Sequence, residues 1–447
     1  MAISEDWAVV GGGMLGLELA RRLQAEGRSV TVLEAAPHLG GLAATWELDG
    51  LTWDKHYHVI LLSDFHTRGL LKQLDLEGDF RAVETRTGFF TDGKLYSMSN
   101  SFEFLKFPPL GLLSKLRLGA TIFHASRVKN WRKLEAIPVV DWLTKWSGKR
   151  TTQKIWLPLL RAKLGESWKD ASAAFLWATI ARMYAARRSG LKTEMFGYVR
   201  GGYARILASF AERLRHDGVT IETGVRVTSI VHEQGRVKVA TTTGDQTFDK
   251  VVFTGPTIAA AKLIPHLSDG KKARLNAIRY QGIVCASVLL KQKLADFYVT
   301  NITDPAPFTA VIEMSALVDR EEFRGRHLVY LPKYVAADDP IFDETDETIR
   351  GRFVAKLTEM YPHFQPSDVL AFQVSRVRQV FPIPTLNYSQ GVPGITTTVP
   401  GVYLVNSAQI VNGTLNVNET LKLAAEAMPT LLGDAARRTQ ALQEAAR

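Results

Sequence analysis

Six residues near the start of the chain have the types and spacing of a phosphate-binding turn. Residues 11–16 satisfy the pattern G-x-G-x-x-G, with the conserved positions filled by Gly11, Gly13 and Gly16. Gly11 permits a tight turn, Gly13 lets the backbone approach a diphosphate, and Gly16 lets a helix pack closely on a strand. The N-terminus of that helix would face the phosphates with unpaired N–H groups and a partial positive charge.

An acidic residue follows at the distance that ribose recognition requires. Glu34 lies 18 residues after Gly16, at the end of a predicted second strand. Its carboxylate can accept hydrogen bonds from a ribose diol, and its charge would repel the extra phosphate of NADP. The motif therefore predicts a ligand with an adenosine diphosphate group. Met14, Leu15 and Ala35 should also line its binding site.

The elements that must position this motif form a predicted βαβ unit. Residues 7–10 predict a buried strand, residues 15–27 a helix and residues 29–33 a second strand. Residues 112–188 are mostly helical in pattern, whereas residues 218–256 change to short strands. Further segments in the second half of the chain predict strands at 283–290, 327–331 and 402–405 and a last helix at 418–432.

A second glycine pair distinguishes between the candidate cofactors. Gly40 and Gly41 follow Glu34, and adjacent glycines let the chain pass close to the ribityl and pyrophosphate of a longer cofactor. This order of motifs resembles the FAD-binding flavoprotein superfamily of amine oxidases, protoporphyrinogen oxidase, phytoene desaturases and UDP-galactopyranose mutase. The resemblance implies non-covalent FAD, with Leu42 also beside the cofactor.

Two later segments extend the resemblance. Residues 224–230 resemble the segment whose valine backbone holds the adenine, a role that would fall on Val227. Residues 401–407 and 413–419 resemble the C-terminal flavin segment, in which the last helix points its N-terminus at the flavin. That likeness implies cofactor contacts from Ser407, Asn416, Val417 and Asn418, although the family often has an acidic residue where Ser407 aligns.

The segment at 54–60 should run past the flavin, and it supplies one catalytic candidate. It is similar to the histidine-containing segment of UDP-galactopyranose mutase, with His58 in the matching place and Tyr57 beside it. A histidine here could modulate flavin electrostatics or move a proton. The alternative is that His56 and His58 only hydrogen-bond the fold or the cofactor.

Arg376 is the second catalytic candidate. Arg376 and Arg378 lie just before the C-terminal flavin segment, and either could bind an anionic substrate group. The alternative is a surface or structural role. Lys333 invites comparison with the flavin-proximal lysine of amine oxidases, but a solvated lysine is the simpler interpretation.

Positive charge is concentrated in one window of the chain. The chain carries 55 basic and 45 acidic residues, and residues 104–164 alone contain thirteen lysines or arginines, two acids and four tryptophans. If the segment is helical, its apolar residues share one face, namely Leu112, Leu113, Leu116, Ala120 and Phe123. Three interpretations stay open: a helix packed on a core, an in-plane membrane contact, and nucleic-acid binding, which lacks any accompanying motif.

Length and composition exclude several classes of protein. The 447 residues are 46% hydrophobic and 22% charged, as in a globular protein of two or three domains. Cys285 is the single cysteine, which excludes an internal disulfide, a cysteine-based zinc cluster and an iron–sulfur centre, and we predict no metal site. The acidic N-terminus and the lack of a long apolar run predict a cytoplasmic protein, with membrane association left open.

The predicted fold is α/β, and α+β overall, with a discontinuous Rossmann-like FAD-binding domain. That domain would comprise residues 1–62, 195–265 and 385–447. An inserted mixed substrate domain would comprise 63–103 and 266–384, with a helical, basic subregion at 104–194.

The leading functional hypothesis is an FAD-dependent oxidase or desaturase that passes a hydride from a large, apolar or lipid-linked substrate to flavin N5. Alternatives are a flavin-dependent isomerase resembling UDP-galactopyranose mutase, an amine oxidase, and a flavin-binding protein without turnover. The expected partners are a small-molecule or lipid-like substrate and a membrane surface touching 104–164, and not nucleic acid.

Overall fold

A computed structural model of the chain describes residues 5–187 and 195–433. The described residues form twenty strands: β1 Asp6–Val10, β2 Ser29–Glu34, β3 Thr45–Leu48, β4 Leu51–Asp54, β5 Ile60–Leu61, β6 Phe80–Glu84, β7 Thr87–Thr91, β8 Lys94–Ser97, β9 Met195–Val199, β10 Thr220–Thr223, β11 Val227–Glu233, β12 Arg236–Thr241, β13 Gly244–Phe248, β14 Lys250–Phe253, β15 Tyr280–Leu290, β16 Val299–Ile302, β17 Ala310–Glu313, β18 His327–Ala336, β19 Val369–Pro382 and β20 Val402–Leu404.

The same residues form fifteen α-helices: α1 Met14–Ala25, α2 Phe65–Gln73, α3 Ser101–Lys106, α4 Leu112–Arg127, α5 Arg132–Glu135, α6 Val139–Ser147, α7 Lys149–Thr151, α8 Leu157–Leu164, α9 Ala173–Arg187, α10 Gly202–His216, α11 Thr257–Leu263, α12 Asp269–Ala277, α13 Asp346–Met360, α14 Tyr388–Gly391 and α15 Val417–Leu431. A single π-helical turn, Thr152–Trp156, leads into α8.

A parallel five-stranded sheet is built from both ends and the middle of the chain. Its strand order is β10-β2-β1-β14-β20, and every neighbouring pair is parallel. The apolar run of β1 is buried because α1 and α10 share a core with one face of the sheet, while β11 and β12 contribute to the core on the other. This arrangement brings the ends of β1, β2 and β14 to one edge, where parallel α/β sheets bind ligands.

A second sheet of seven strands lies beside a group of helices. Its order is β19-β15-β18-β17-β16-β7-β8, and β15 pairs antiparallel with both β18 and β19. All eleven residues of β15 are buried, because α13 packs over one face of the sheet and the helical segment α5–α9 contributes to the core on the other. Helix α4 packs on α6 and α9 of that segment, and α8 packs on β18.

The sequence predicted the principal elements of the fold. The βαβ unit is confirmed, and its helix runs from Met14 to Ala25 instead of 15–27. The long helical pattern is confirmed as far as residue 187, and its last predicted residue lies outside the described ranges. The sequence did not predict β13 or the fourteen-residue β19.

The predicted fold class is confirmed as a mixed α/β fold, whereas the residue bounds of the three proposed domains stay predictions. Cys285 is fully buried, as expected for a structural thiol, and burial raises its pKa well above the usual range. Within residues 5–187 and 195–433, none of the helices combines the length and apolar character needed to cross a bilayer.

Candidate functional site

The glycine turn at 11–16 forms an open cradle against the second glycine pair. Gly11 has φ +114°, and a Cβ on Gly16 would lie 1.8 Å from the Gly11 carbonyl oxygen, so both positions require glycine. The N–H of Gly40 donates to the Gly12 carbonyl at 2.9 Å, and Gly13 and Gly40 form an isolated parallel bridge. The two turns therefore meet backbone to backbone.

The Glu34 carboxylate organises the next part of this edge. It accepts hydrogen bonds from the N–H groups of Gly12 at 2.6 Å and Ala36 at 2.7 Å, with Ala35 between β2 and Ala36. The N–H of Val225 donates to the Glu34 carbonyl at 2.9 Å. The segment that leads to Val227, the predicted adenine contact, is thus anchored beside the predicted ribose contact.

The two glycine turns present bare backbone to a diphosphate. A Cβ on Gly13 would stand 3.8 Å from the Gly41 Cα and 3.9 Å from the Gly40 oxygen, which is van der Waals contact, so only backbone lies around this position. Helix α1 starts after Gly13 with no capping side chain and no acid in its first turn, which contains Met14 and Leu15. Its N–H groups therefore remain available to an anion, and these residues fit the pyrophosphate of FAD.

The C-terminal segment supplies a second helix N-terminus. Asn416 caps α15 by accepting the Glu419 N–H at 3.0 Å, and the geometry of the first turn leaves the N–H groups of Val417 and Asn418 without an intrahelical acceptor. The Asn418 side-chain oxygen, however, accepts from His66 N–H at 2.9 Å and so holds α2. Ser407 starts a short turn directly after β20.

His56 joins the glycine loop to the second sheet. Its Nδ1 lies 3.3 Å from the Leu42 carbonyl and its Nε2 3.1 Å from Ser375 Oγ. Because a carbonyl oxygen only accepts, Nδ1 carries the hydrogen, and Nε2 accepts the Ser375 hydroxyl. Burial lowers the pKa of His56 to about 4, so this connection is made by a neutral ring.

His58 lies close to His56, with a proton-accepting nitrogen. Its Nδ1 donates to the His56 carbonyl at 2.9 Å, which leaves the Nε2 lone pair available. The ring packs on Tyr203 and is 3.9 Å from the Asp54 carboxylate. Burial, together with the charge of His56, lowers the pKa of His58 to about 4 and burial raises that of Asp54 to about 7.

The structure does not bring Arg376 together with His58. Neighbouring residues of a strand point to opposite faces, and Ser375 faces His56. Arg376 faces α13, where its guanidinium is 2.7 Å from Asp346 and donates to the Glu344 carbonyl. The arginine therefore has a structural ion pair on the far face of the sheet, and Arg378 likewise pairs with Asp343.

An aromatic face that the sequence did not predict lies on the near side of the same sheet. The Tyr57 and Tyr334 hydroxyls are 2.8 Å apart, and Tyr334 packs edge-on against Phe381. The Lys163 Nζ is 3.6 Å from the centre of the Tyr334 ring and 5.2 Å from that of Phe381. Burial lowers the pKa of Lys163 to about 7. Lys163 and Tyr334 are far apart in sequence, and no local motif connects them.

The stabilising contribution of neutral His56 and His58 should fall as the pH falls from 6.5 to 4, because each binds a proton in the unfolded chain and not in the folded protein. His56 and His58 have pKa values lowered from 6.5 to about 4, so unfolding takes up two protons in this window. Asp54 and Glu313 act in the opposite sense, because burial raises the pKa of each to about 7 and both keep a proton that the unfolded chain releases. These two carboxyl groups offset the two histidines, so the effect of His58 has to be isolated by substitution.

His58 lowers the free energy of unfolding as the pH falls from 7 to 5. In His58→Asn that contribution is absent, so the free energy of unfolding should fall less than in the wild type, by about 1–2 kcal/mol. The measurement is the thermal midpoint of the purified protein at both pH values. His216→Asn is the matched control, since its side chain is largely exposed. An equal loss of stability in the wild type and His58→Asn would contradict the assignment of a buried, neutral His58.

Three comparisons place these features among known proteins. The family model described as flavin containing amine oxidoreductase matches residues 16–416. A 4,4'-diapophytoene desaturase from Staphylococcus haemolyticus is 37% identical over 59 residues, which span 13% of this chain and 12% of that enzyme.

Solved structures share the fold over nearly the whole chain. A provisionally named protoporphyrinogen oxidase from Exiguobacterium sp. 255-15 matches with TM-score 0.76 and 18% identity, covering 96% of this chain and 99% of that one. A putrescine oxidase solved with putrescine matches with TM-score 0.71 and 16% identity, covering 100% of both chains. The resemblance predicted from the motifs is confirmed, and so is FAD as the cofactor.

Proposed function

Because this chain belongs to the flavin-containing amine oxidoreductase family and is an FAD-dependent oxidoreductase, we propose that it oxidises a large, apolar or lipid-linked substrate at an anionic membrane surface. One observation carries this proposal, an exposed apolar surface on α3 and α4. We call it the α3–α4 surface, and its members are Phe102, Leu105, Leu112, Leu113, Leu116 and Phe123.

The side chains of the α3–α4 surface are unusually exposed for their type. Their exposed fractions range from 52% for Leu105 to 71% for Leu113, and they are six of the nine large apolar residues that are exposed in the described part of the chain. The opposite face of α4 packs on the protein through Leu118, Thr121 and Ala125. Apolar residues clustered on a free helix face are typical of an interaction site.

The charges around this surface favour an anionic partner. Lys106 lies 4.1 Å from the ring of Phe102, and Arg127 lies 4.7 Å from the ring of Phe123. Of the two acids in residues 104–164, Glu135 is buried and bonded to Ser389. A bilayer that contains anionic lipids matches both the apolar side chains and the surrounding cations.

Three of the four tryptophans in the basic window do not contribute to the surface. Trp142 is buried, the ring of Trp146 stacks on His124 with 3.7 Å between ring centres, and Trp156 donates to Ser147 Oγ at 2.9 Å. These indoles stabilise the packing of the helices. The membrane contact that we propose is made by leucine and phenylalanine.

The aromatic face provides a place for an apolar substrate. Tyr57, Tyr334 and Phe381 lie in or against the core cluster that α8 completes, and Lys163 adds a cation at its edge. A lysine here argues against a cationic amine as the substrate, because like charges repel in a site with little water. The desaturase matched over 59 residues is consistent with an apolar substrate.

The chain's own residues would orient the substrate and handle protons. Bound FAD supplies the two-electron acceptor for the substrate hydride. His58 Nε2 would accept a proton, while the hydrogen bond to the His56 carbonyl and the packing on Tyr203 hold the ring in place. The Gly40–Gly41 loop is connected through His56 and Ser375 to the sheet that bears the aromatic face, which fixes substrate and cofactor relative to each other.

The purified holoenzyme should float with vesicles of phosphatidylcholine and phosphatidylglycerol and not with phosphatidylcholine alone. Binding should weaken at high salt, because salt screens the attraction between the cations and the lipid headgroups. Flotation through a density gradient at low and high salt measures this. Protein that stays at the bottom with anionic vesicles at low salt would contradict the proposal.

A further inference from the structure

Lys163 is a cation without an anionic partner on the substrate side of the second sheet. Within the described ranges no carboxylate lies within ion-pair distance of its Nζ, and its contacts are the rings of Tyr334 and Phe381. The residue is half-buried. A buried cation is costly unless a partner of opposite charge is present for part of the time.

A second polar group on the same face of the second sheet also lacks a partner. Gln281 is 1% exposed, and neither its Nε2 nor its Oε1 makes a hydrogen bond. It is paired across the sheet with Phe381, and its Nε2 lies 3.6 Å from where a Cβ on Gly165 would stand, two residues after Lys163. An amide this deeply buried normally has hydrogen-bond partners, so the free amide points to a ligand.

The tyrosine pair supplies a third donor. The Tyr57 and Tyr334 hydroxyls share one hydrogen bond at 2.8 Å, so whichever phenol accepts it keeps its own O–H for another group. Burial raises the pKa of Tyr57 to about 12 and that of Tyr334 further, so both remain protonated donors. An ammonium, an amide and a phenol thus lie on the same side of the second sheet.

We propose that Lys163, Gln281 and the Tyr57–Tyr334 pair bind an oxyanion group of the substrate, either a carboxylate or a phosphate. This inference rests on the proposed function, because it assumes that the substrate lies against the aromatic face. Three hydrogen-bond donors on one side of the sheet, with no carboxylate paired to Lys163 in the described part of the chain, match the acceptor oxygens of such a group. The substrate would then be amphipathic, with its apolar part against the aromatic rings and its anionic end at Lys163.

The binding of such an anion should depend on pH. The ammonium form of Lys163 is required, and its pKa is lowered to about 7 by burial, so affinity should fall by about tenfold per pH unit above 7. The other titratable groups on the elements packed against α8 either stay protonated or are paired: Tyr57, Tyr334, Cys285, Lys154 with Asp92, Glu166 with Lys169, and Asp170 with Arg279. If Lys163 were instead a general base, turnover would rise with pH in the same range.

Calorimetric titration of the FAD-loaded enzyme with decanoate, decyl phosphate and decanol tests this inference. We expect one or both anions to bind and Lys163→Met to weaken that binding by about tenfold or more, while decanol binds poorly to both proteins. Gln281→Leu should weaken the binding of the same anion. Lys333→Met is the matched control, because Lys333 is also partly buried on β18 but points to the opposite face.

Each outcome of the titration bears on the inference. Binding of decanoate alone or of decyl phosphate alone supports it and identifies the anionic group. Binding of neither anion, unchanged affinity in Lys163→Met, or decanol binding as tightly as both anions, overturns it. The result is independent of vesicle flotation, so a failure of the membrane proposal and a failure of the anion site can be told apart. Retention of bound FAD and of the thermal midpoint shows that each variant is folded.

Discussion

Gly13→Val is expected to give a folded, colourless protein that does not take up FAD. The backbone at Gly13 has φ −76° and ψ 174°, which valine adopts without strain. A Cβ there would stand 3.8 Å from the Gly41 Cα, an ordinary van der Waals contact, so the first added atom does not clash with the chain. The rest of the side chain would cover the bare backbone of the glycine turn and exclude the diphosphate.

The loss of FAD affinity should exceed about 100-fold, because the valine occupies space that the pyrophosphate needs. Visible absorbance after incubation with FAD, and equilibrium dialysis, measure it. Gly351→Val is the matched control, since that glycine lies in α13 with free space around its Cβ, and it should stay yellow. Gly16→Val should fail to fold, because its Cβ would lie 1.8 Å from a carbonyl oxygen. A yellow Gly13→Val protein would contradict the placement of the cofactor.

The triple variant Leu112→Ser, Leu113→Ser, Leu116→Ser should abolish vesicle flotation while the protein stays folded. All three side chains are exposed in the free protein, so removing them leaves the core unchanged. Burying one leucine contributes about 1.5–3 kcal/mol, and partial burial of three in the bilayer interface would account for about 100-fold in affinity.

The control for this variant removes exposed leucines from elsewhere. Leu370→Ser, Leu386→Ser changes two leucines that are 40% and 41% exposed and lie outside the α3–α4 surface. This double variant should float as the wild type does. The alternative occupant of this surface is another copy of the chain. In that case light scattering would show a dimer of the wild type, and the protein would not float with vesicles. That result would refute the membrane proposal.

The local part of the site could be predicted from the sequence because its signals are local. Gly11, Gly13, Gly16 and Glu34 lie within 24 residues, and the turn that they form is confirmed. The shared face of Leu112, Leu113 and Leu116 follows from helical periodicity alone. Periodicity, however, shows only which residues share a face of the helix. It does not show whether another element covers that face.

The substrate side could not be predicted, because it is made by contacts between distant residues. Ser375 and His56 are 319 residues apart, and Tyr57 and Tyr334 are 277 apart. Strand β19, which contains Arg376, lies at the edge of its sheet and has mixed polar composition, so its pattern was not typical of a strand. Without that strand, nothing in the sequence indicated that Arg376 and Ser375 face opposite sides.

The most direct test of the proposed function is anaerobic reduction of the bound FAD by fractionated cell extract. The purified holoenzyme is mixed, without oxygen, with either the lipid extract or the water-soluble metabolites of the source cells, and the visible flavin absorbance is followed. We predict that the lipid extract bleaches the flavin and that the water-soluble fraction does not. Bleaching by the water-soluble fraction alone would contradict an apolar or lipid-linked substrate.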